Sequence, residues 1–255
     1  MKCKICKSEN ESVFSAKIMG KYTIKYYHCS KCDFVQTEDP YWLDEAYDQP
    51  INQSDTGYMV RNLLYAKRLT ILLYLLHGKN GKYLDYAGGY GVFVRVMRDI
   101  GFDFYWDDKY TQNLFASGFE KTVDDKYEAV TLFEVFEHFV DPMTEVKSLF
   151  QLSDTIIFST EPLPTPLPPP LEWWYYGLEH GQHLALYSEK TFEYIAQEFG
   201  ANYYRIGSLH ILTKGEIKKW KFYAITHGVR WGLHNVLTKK MTSKTWDDHL
   251  KLIDN

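Results

Sequence analysis

From Met59 to Leu76 apolar residues recur at helical spacing, and beyond Lys82 the rhythm changes. Short, dense apolar runs then alternate with stretches of 3.6-residue period, the signature of strands exchanging with amphipathic helices. The pattern predicts helix Met59–Leu76, strand Lys82–Tyr86, helix Val92–Ile100, strand Phe102–Trp106 and helix Gln112–Ser117. A weak strand around Lys121–Val123 precedes strand Ala129–Phe133. Asp141 and Pro142 supply an N-cap and a first-turn proline for helix Pro142–Phe150, and strand Thr155–Ser159 follows. Six of the nine prolines fall between Pro162 and Pro170, which excludes regular structure there. Ser188 caps a helix to about Phe199, and Asn202–Ile206 with Leu209–Thr213 read as a closing antiparallel pair. The tail, Glu216 to Leu237, reads as one or two amphipathic helices packed on the domain. Such alternation predicts an α/β chain, a Rossmann-like doubly wound sheet, mostly parallel and covered on both faces.

The N-terminal stretch follows another rule. Val13–Ala16 and Tyr22–His28 read as short strands, and all four cysteines flank them as Cys3-x2-Cys6 and Cys29-x2-Cys32. Two such knuckles place four thiolates tetrahedrally around Zn²⁺. Disulfides belong to an oxidising compartment, and a redox C-x-x-C needs no twin. The expectation is a zinc ribbon over residues 1–38 whose ion is structural, because four thiolates leave no open position. His28 adjoins Cys29, but the cysteine set is already complete. Residues 39–80 then form a linker and lid helix, 81–213 the α/β domain and 214–255 a helical extension.

Composition narrows the function classes. The 255 residues are 45% hydrophobic, enough for one α/β domain with an accessory unit. A net charge of −4 gives no global argument for nucleic acid, although Lys and Arg gather near both ends. The start, Met1-Lys2-Cys3-Lys4, lacks the apolar core of a secretory signal, and the run Ile71–Leu76 is too short to span a bilayer. A cytoplasmic protein with no membrane partner is expected, and the oligomeric state is open.

The chemistry-bearing segment is Tyr83–Val94, Y-L-D-Y-A-G-G-Y-G-V-F-V. A strand ends in Asp85, a turn carries Ala87, Gly88, Gly89 and Gly91, and a helix starts at Val92. Glycines let the backbone approach a ligand, and the helix start offers unpaired N–H groups. A phosphate-binding loop would end in Gly-Lys-Ser/Thr, and this one ends Gly91-Val92-Phe93. A dinucleotide loop would carry a third glycine where Val94 stands. What remains is D-x-A-x-G-x-G. The second strand ends at Asp107-Asp108, and an acid at that point suits ribose hydroxyls. Two acids compete for that role. The strand at Ala129 ends in F-E-V-F-E-H, Phe133 to His138, followed by Asp141-Pro142.

Taken together, these motifs resemble class I methyltransferases that use S-adenosylmethionine (SAM), and with the cysteine knuckles they resemble the zinc-ribbon subgroup that includes deoxysugar C-methyltransferases. The resemblance covers Cys3 to about Thr213. It implies that Asp85, Ala87, Gly88, Gly89 and Gly91 line the methionine part of SAM, Asp108 the ribose, and Phe133 and Glu134 the sulfonium end. It also implies a lid from Ser54 to Arg61, with Tyr58 and Arg61 touching the cofactor.

The acceptor is expected near Glu172–His183, where Trp173, Trp174, Tyr175 and Tyr176 precede two histidines. Sugar C-methyltransferases of the subgroup carry Y-H-E-H there, and this chain reads His180-Gly181-Gln182-His183. Gln182 replaces the glutamate and cannot act as a carboxylate base, although it can hydrogen-bond a hydroxyl. His183 is therefore the expected general base, with His180 and Glu179 supporting, on a small polar acceptor such as a sugar or sugar nucleotide, at oxygen rather than carbon. RNA methylation and a non-catalytic SAM-binding partner are the alternatives.

Overall fold

The computed structural model of the protein describes residues 1–48, 55–122 and 126–253. In chain order its strands are β1 (Glu11–Ile18), β2 (Tyr22–Cys29), β3 (Phe34–Thr37), β4 (Lys82–Tyr86), β5 (Asp103–Asp107), β6 (Ala129–Phe133), β7 (Thr155–Ser159), β8 (Ala185–Leu186), β9 (Asn202–Ile206) and β10 (Leu209–Thr213). The helices are α1 (Leu43–Ala46), α2 (Tyr58–His77), α3 (Val92–Ile100), α4 (Pro142–Leu152), α5 (Glu189–Glu198), α6 (Lys219–His227), α7 (Leu233–Thr238) and α8 (Thr245–Ile253). A six-stranded sheet has the order β5-β4-β6-β7-β10-β9, and a four-stranded sheet the order β1-β2-β3-β8. The larger is a Rossmann-like, mostly parallel sheet: β4 runs parallel to β5 and β6, and β9 and β10 form an antiparallel pair.

The chain divides into two compact units. One comprises Gln53–Leu132, Leu152–Ile156 and Gly215–Asn255. Its central strand β4 buries Tyr83, Leu84 and Asp85, as a strand covered on both faces must. Helix α3 turns Phe93, Val94 and Met97 inward, and Arg98 with them. That arginine is not left bare. It makes a two-pronged bond to Asp248 of α8 at 2.7 and 2.8 Å, a 2.7 Å bond to Asp103 and a 2.9 Å bond to the Phe104 carbonyl. Both Arg98 and Asp248 are nearly inaccessible, at 4% exposure each. Removing one member of a buried pair strands the other. Arg98→Ala should therefore destabilise the protein by about 3–5 kcal/mol in urea unfolding; a loss under 1 kcal/mol would show the pair to be dispensable.

The other unit comprises Met1–Asn52, Phe133–Gln151 and Ile157–Lys214. Strand β1 pairs with β2, β2 with β3, and β3 with the two residues of β8. The aromatic segment after the prolines packs here. Trp173, Tyr175 and Tyr176 join Tyr26, Val35 and Trp42 in one apolar cluster, and the Trp42 indole donates to the Gly181 carbonyl at 2.8 Å. Of the aromatics expected as acceptor walls, only Trp174 stands exposed.

Besides β3, α1 and β8, which the sequence pattern does not announce, three segments depart from it. Residues Gln112–Ser117 form no helix. The Asn113 side chain accepts from the Ala116 N–H and donates to Glu120, and Leu114 and Phe115 both donate to the Tyr90 carbonyl, so these groups are spent on a turn. Lys121–Val123 contributes an isolated parallel bridge one residue earlier, Trp106 to Glu120, with Val123 outside the described residues. Helix α8 lies beyond the predicted tail. Among the described residues no helix is long and apolar enough to cross a membrane.

Candidate active site

The glycine turn lies in the unit built on β4. Ala87, Gly89 and Gly91 all take left-handed backbone angles, with φ of 54°, 55° and 82°. Gly91 is doubly required, because a β-carbon there would also sit 2.7 Å from the Asn113 side-chain oxygen. As the N-cap of α3 it offers no side chain, and the first helical turn carries no acid. The N-cap therefore supplies no side-chain acceptor at the start of α3, an end suited to a carboxylate. Ala87 pays a steric penalty that glycine would avoid. Ala87→Gly should raise stability by about 0.5–1 kcal/mol in thermal unfolding; a lower melting temperature would refute strain at this turn.

Asp108 holds this turn together. One carboxylate oxygen accepts from Gly89 N at 2.9 Å, and the other from Tyr110 N and Thr111 N at 2.7 and 2.9 Å. Gly89 is fixed further by Trp106 Nε1 and Thr111 Oγ1 on its carbonyl. A carboxylate has about four acceptor positions, so Asp108 keeps capacity for a ribose hydroxyl. Asp107 instead pairs with Lys121 at 2.8 Å. Asp85 is buried and accepts from Thr131 Oγ1 at 2.7 Å; burial pushes its carboxyl up to about 7. Tyr58 is held above the ordinary phenol range by burial, then by Asp85, and it hydrogen-bonds the Tyr90 backbone. Arg61 forms a two-pronged pair with Asp55 at 2.5 and 2.7 Å, so a cofactor carboxylate would have to share it. Of the expected lid, Ser54 lies outside the described residues.

In the N-terminal unit the four cysteine sulfurs converge. Cys3 and Cys32 lie 3.5 Å apart and Cys6 and Cys29 3.4 Å apart, far beyond an S–S bond. Tetrahedral zinc with sulfur at about 2.3 Å needs sulfurs slightly under 4 Å apart, so the donor set fits. His28 turns away to Asp33 at 2.8 Å.

The same unit gathers a second polar cluster. Glu134 has a left-handed backbone, φ 55°, which turns its carboxylate onto Ser159 Oγ at 2.5 Å and the Tyr175 hydroxyl at 3.2 Å. Its amide donates to the Ser159 carbonyl at 3.1 Å, so the strained residue is held from both ends. Glu137 sits in a 3-10 turn, Phe136–His138, fully buried, with one oxygen 2.8 Å from the Tyr175 hydroxyl. Burial, and then the neighbouring Glu134, holds its carboxyl well above the usual range. The Tyr175 hydroxyl reaches both carboxylates and donates over the shorter distance to Glu137.

His183 Nδ1 lies 2.6 Å from the Tyr175 carbonyl, which can only accept, so this nitrogen carries the proton and Nε2 the lone pair. Burial, then His138 and His180, keeps the imidazole far below its ordinary value and neutral. The His138 ring is 5.1 Å from that of His183, and its Nδ1 meets the Tyr47 hydroxyl at 3.0 Å. The His180 ring lies 4.7 Å from His183, with Nδ1 accepting from Gln182 N. Glu179 is exposed and lines a cleft with Lys17, Trp173 and Trp174. Gln182 is buried and donates to the Ala46 carbonyl at 2.7 Å. It acts as a structural tie, not as the acceptor contact its sequence position suggested. The sequence pattern assigned Glu137 and His138 no role of their own; the E-H pair after β6 was the available signal.

Residues 59–206, more than half of the chain, match the family model described as a methyltransferase domain. No curated protein matches the chain in sequence. In structure it is similar to the plantazolicin methyltransferase BpumL, solved with a monoazolic desmethylPZN analog and SAH, at 12% identity over 80% of this chain and 89% of that one, TM-score 0.52. It is also similar to magnesium protoporphyrin IX methyltransferase (ChlM) of Synechocystis PCC 6803 with bound SAH, at 16% identity over 68% and 95%, TM-score 0.44. A third similar structure is CalO1, a methyltransferase in calicheamicin biosynthesis in SAH-bound form, at 12% identity over 69% and 60%, TM-score 0.45. With a Rossmann-like sheet, a glycine turn that opens a helix and a family match across β4 to β9, the chain belongs to the methyltransferase-domain family and is a SAM-dependent methyltransferase.

Proposed function

We propose that this protein methylates a hydroxyl of a small polar acceptor, of the sugar or sugar-nucleotide class. The observation that carries the reading is the state of His183: Nδ1 is pinned to the Tyr175 carbonyl and the ring is neutral, which leaves Nε2 as a proton acceptor. Bound SAM supplies an electrophilic methyl carbon on its sulfonium. His183 Nε2 would take the acceptor's hydroxyl proton as the oxygen bonds to the methyl carbon and the carbon–sulfur bond breaks with S-adenosylhomocysteine leaving, and the charged imidazole would later return that proton to solvent. His180 orients the His183 ring edge to face, and Glu179 supports His180 through its charge. The helix start after Gly91 and the glycine turn hold the methionine carboxylate and the adenosine, with Asp85, Ala87, Gly88 and Asp108 shaping that pocket and Tyr58 and Arg61 closing on it. Phe133 closes β6 and Glu134 follows it, and the resemblance assigns both to the sulfonium end of the cofactor.

A cleft of about 410 Å³ is lined by Lys17, Leu171, Trp173, Trp174 and Glu179. An exposed indole beside a cation and a carboxylate suits a hydroxylated ring, and the volume is within the range of small-molecule sites. The four cysteines hold structural zinc, and the protein works in the cytoplasm. The test is release of S-adenosylhomocysteine over a panel of sugars, nucleotide sugars and short RNAs. Turnover with a hydroxylated sugar and an O-methyl product are expected. Turnover confined to RNA, or a methyl group placed on carbon, would overturn the reading.

A further inference from the structure

We propose that Glu137, His138 and His183 form a binding site for a divalent transition-metal cation of the zinc class, separate from the cysteine knuckles. One ligand atom from each of the three lies within 4.8 Å of the others. His138 Nε2 is 4.0 Å from Glu137 Oε1, the oxygen that also meets the Tyr175 hydroxyl, so a cation would have to be held by both carboxylate oxygens to satisfy Oε2 as well. Donors around zinc at about 2.0–2.2 Å stand a little over 3 Å apart, so closure requires side-chain movements on the order of 1 Å.

Three further observations fit a ligand set better than a packed core. Glu137 Oε2 is buried and has no hydrogen-bond partner among the described residues. A buried polar atom left bare is costly, and a cation would satisfy it. Both imidazoles have their Nδ1 engaged by the protein, His183 on the Tyr175 carbonyl and His138 on the Tyr47 hydroxyl. That leaves Nε2 of each for a metal, in the outer-sphere arrangement that orients ligating histidines. Leu184 N, next to His183, donates to the Glu137 carbonyl at 2.8 Å, which ties two of the three ligand residues together. Two imidazoles and one carboxylate favour Zn²⁺, Co²⁺, Ni²⁺ or Fe²⁺ over Mg²⁺ and Ca²⁺, which prefer all-oxygen shells.

Three protein donors leave a position open, as catalytic zinc sites do. An acceptor hydroxyl coordinated there is acidified by the cation and releases its proton to water. Coordination uses the Nε2 lone pair that otherwise takes the proton, so the loaded site activates the acceptor as a Lewis acid and the empty site does so through His183. This consequence rests on the acceptor reading above; the binding itself does not.

The test uses the full chain with its cysteine site filled by one equivalent of zinc, titrated with Co²⁺. A second equivalent should bind, with visible cobalt bands that lack thiolate charge transfer. His138→Ala and Glu137→Gln should each weaken it at least tenfold. Tyr47→Phe, which keeps all three ligands, should weaken it less and guards against variants that fail to fold. Wild-type protein that takes up no cobalt beyond the cysteine site overturns the proposal, as does cobalt binding unchanged in the first two variants. A second metal without turnover on any sugar would sink only the acceptor reading.

Discussion

Replacing His183 with alanine lowers turnover by about 10²–10⁴, the range a positioned general base contributes. Calorimetric affinity for SAM stays within about threefold of wild type, because the glycine turn and the α3 start belong to the other compact unit. The pH profile separates a base from a packing residue. A base works unprotonated, and His183 is depressed well below the ordinary imidazole value by burial and by its two histidine neighbours. The acid limb of kcat/KM should therefore lie below pH 6.5, with the rate flat through neutrality. A limb centred near 6.5 would point to an exposed imidazole. Full turnover in His183→Ala would remove the residue from the chemistry. His183→Gln keeps a donor toward the Tyr175 carbonyl but has no titrating lone pair, so it should be as slow as alanine; recovery there would assign His183 a positioning role.

The parts of this molecule that the sequence made legible are those whose cause is local. The glycine turn could be read because left-handed angles at Gly89 and Gly91 select their residue type, and the knuckles because C-x2-C is a spacing rule. The period change around Lys82 located β4, and Ser188 announced α5, where it closes a capping box with Thr191. The second polar cluster was hidden for the opposite reason. Glu137 and His183 are 46 positions apart, and they meet because Leu184 N donates to the Glu137 carbonyl at 2.8 Å while β8 joins β3. No periodicity announces a two-residue strand. Residues Gln112–Ser117 failed as a helix because Asn113 diverts its own backbone neighbours, a competition that residue counting does not weigh. Asp108 shows an intermediate case: its place was readable, but its three backbone donors were not.

Replacing Cys29, which is proposed above to hold zinc, should have the largest effect on stability, and it should reach the histidines. Zinc binding in small knuckles carries an apparent free energy of about 10–16 kcal/mol. Whole domains are stable by about 5–15 kcal/mol, so losing most of that contribution is enough to melt the ribbon. Cys29→Ser protein should hold no zinc in the cysteine site by metal analysis, and thermal unfolding should show an early transition absent from wild type. The damage has a defined route within the N-terminal unit. Thr191 Oγ1 donates to the Cys32 carbonyl at 2.9 Å, Thr37 N to the Leu184 carbonyl at 3.0 Å, and Val35 pairs with Leu186. Leu184 adjoins His183, so a melted ribbon loosens the strand that positions the base. Turnover should fall by at least tenfold, with a smaller change in SAM affinity, because the glycine turn keeps its own supports at Asp108 and Trp106. Unchanged melting in Cys29→Ser would show that the thiols are a reduced, metal-free core. Melting without loss of turnover would show that β8 holds His183 without help from the ribbon.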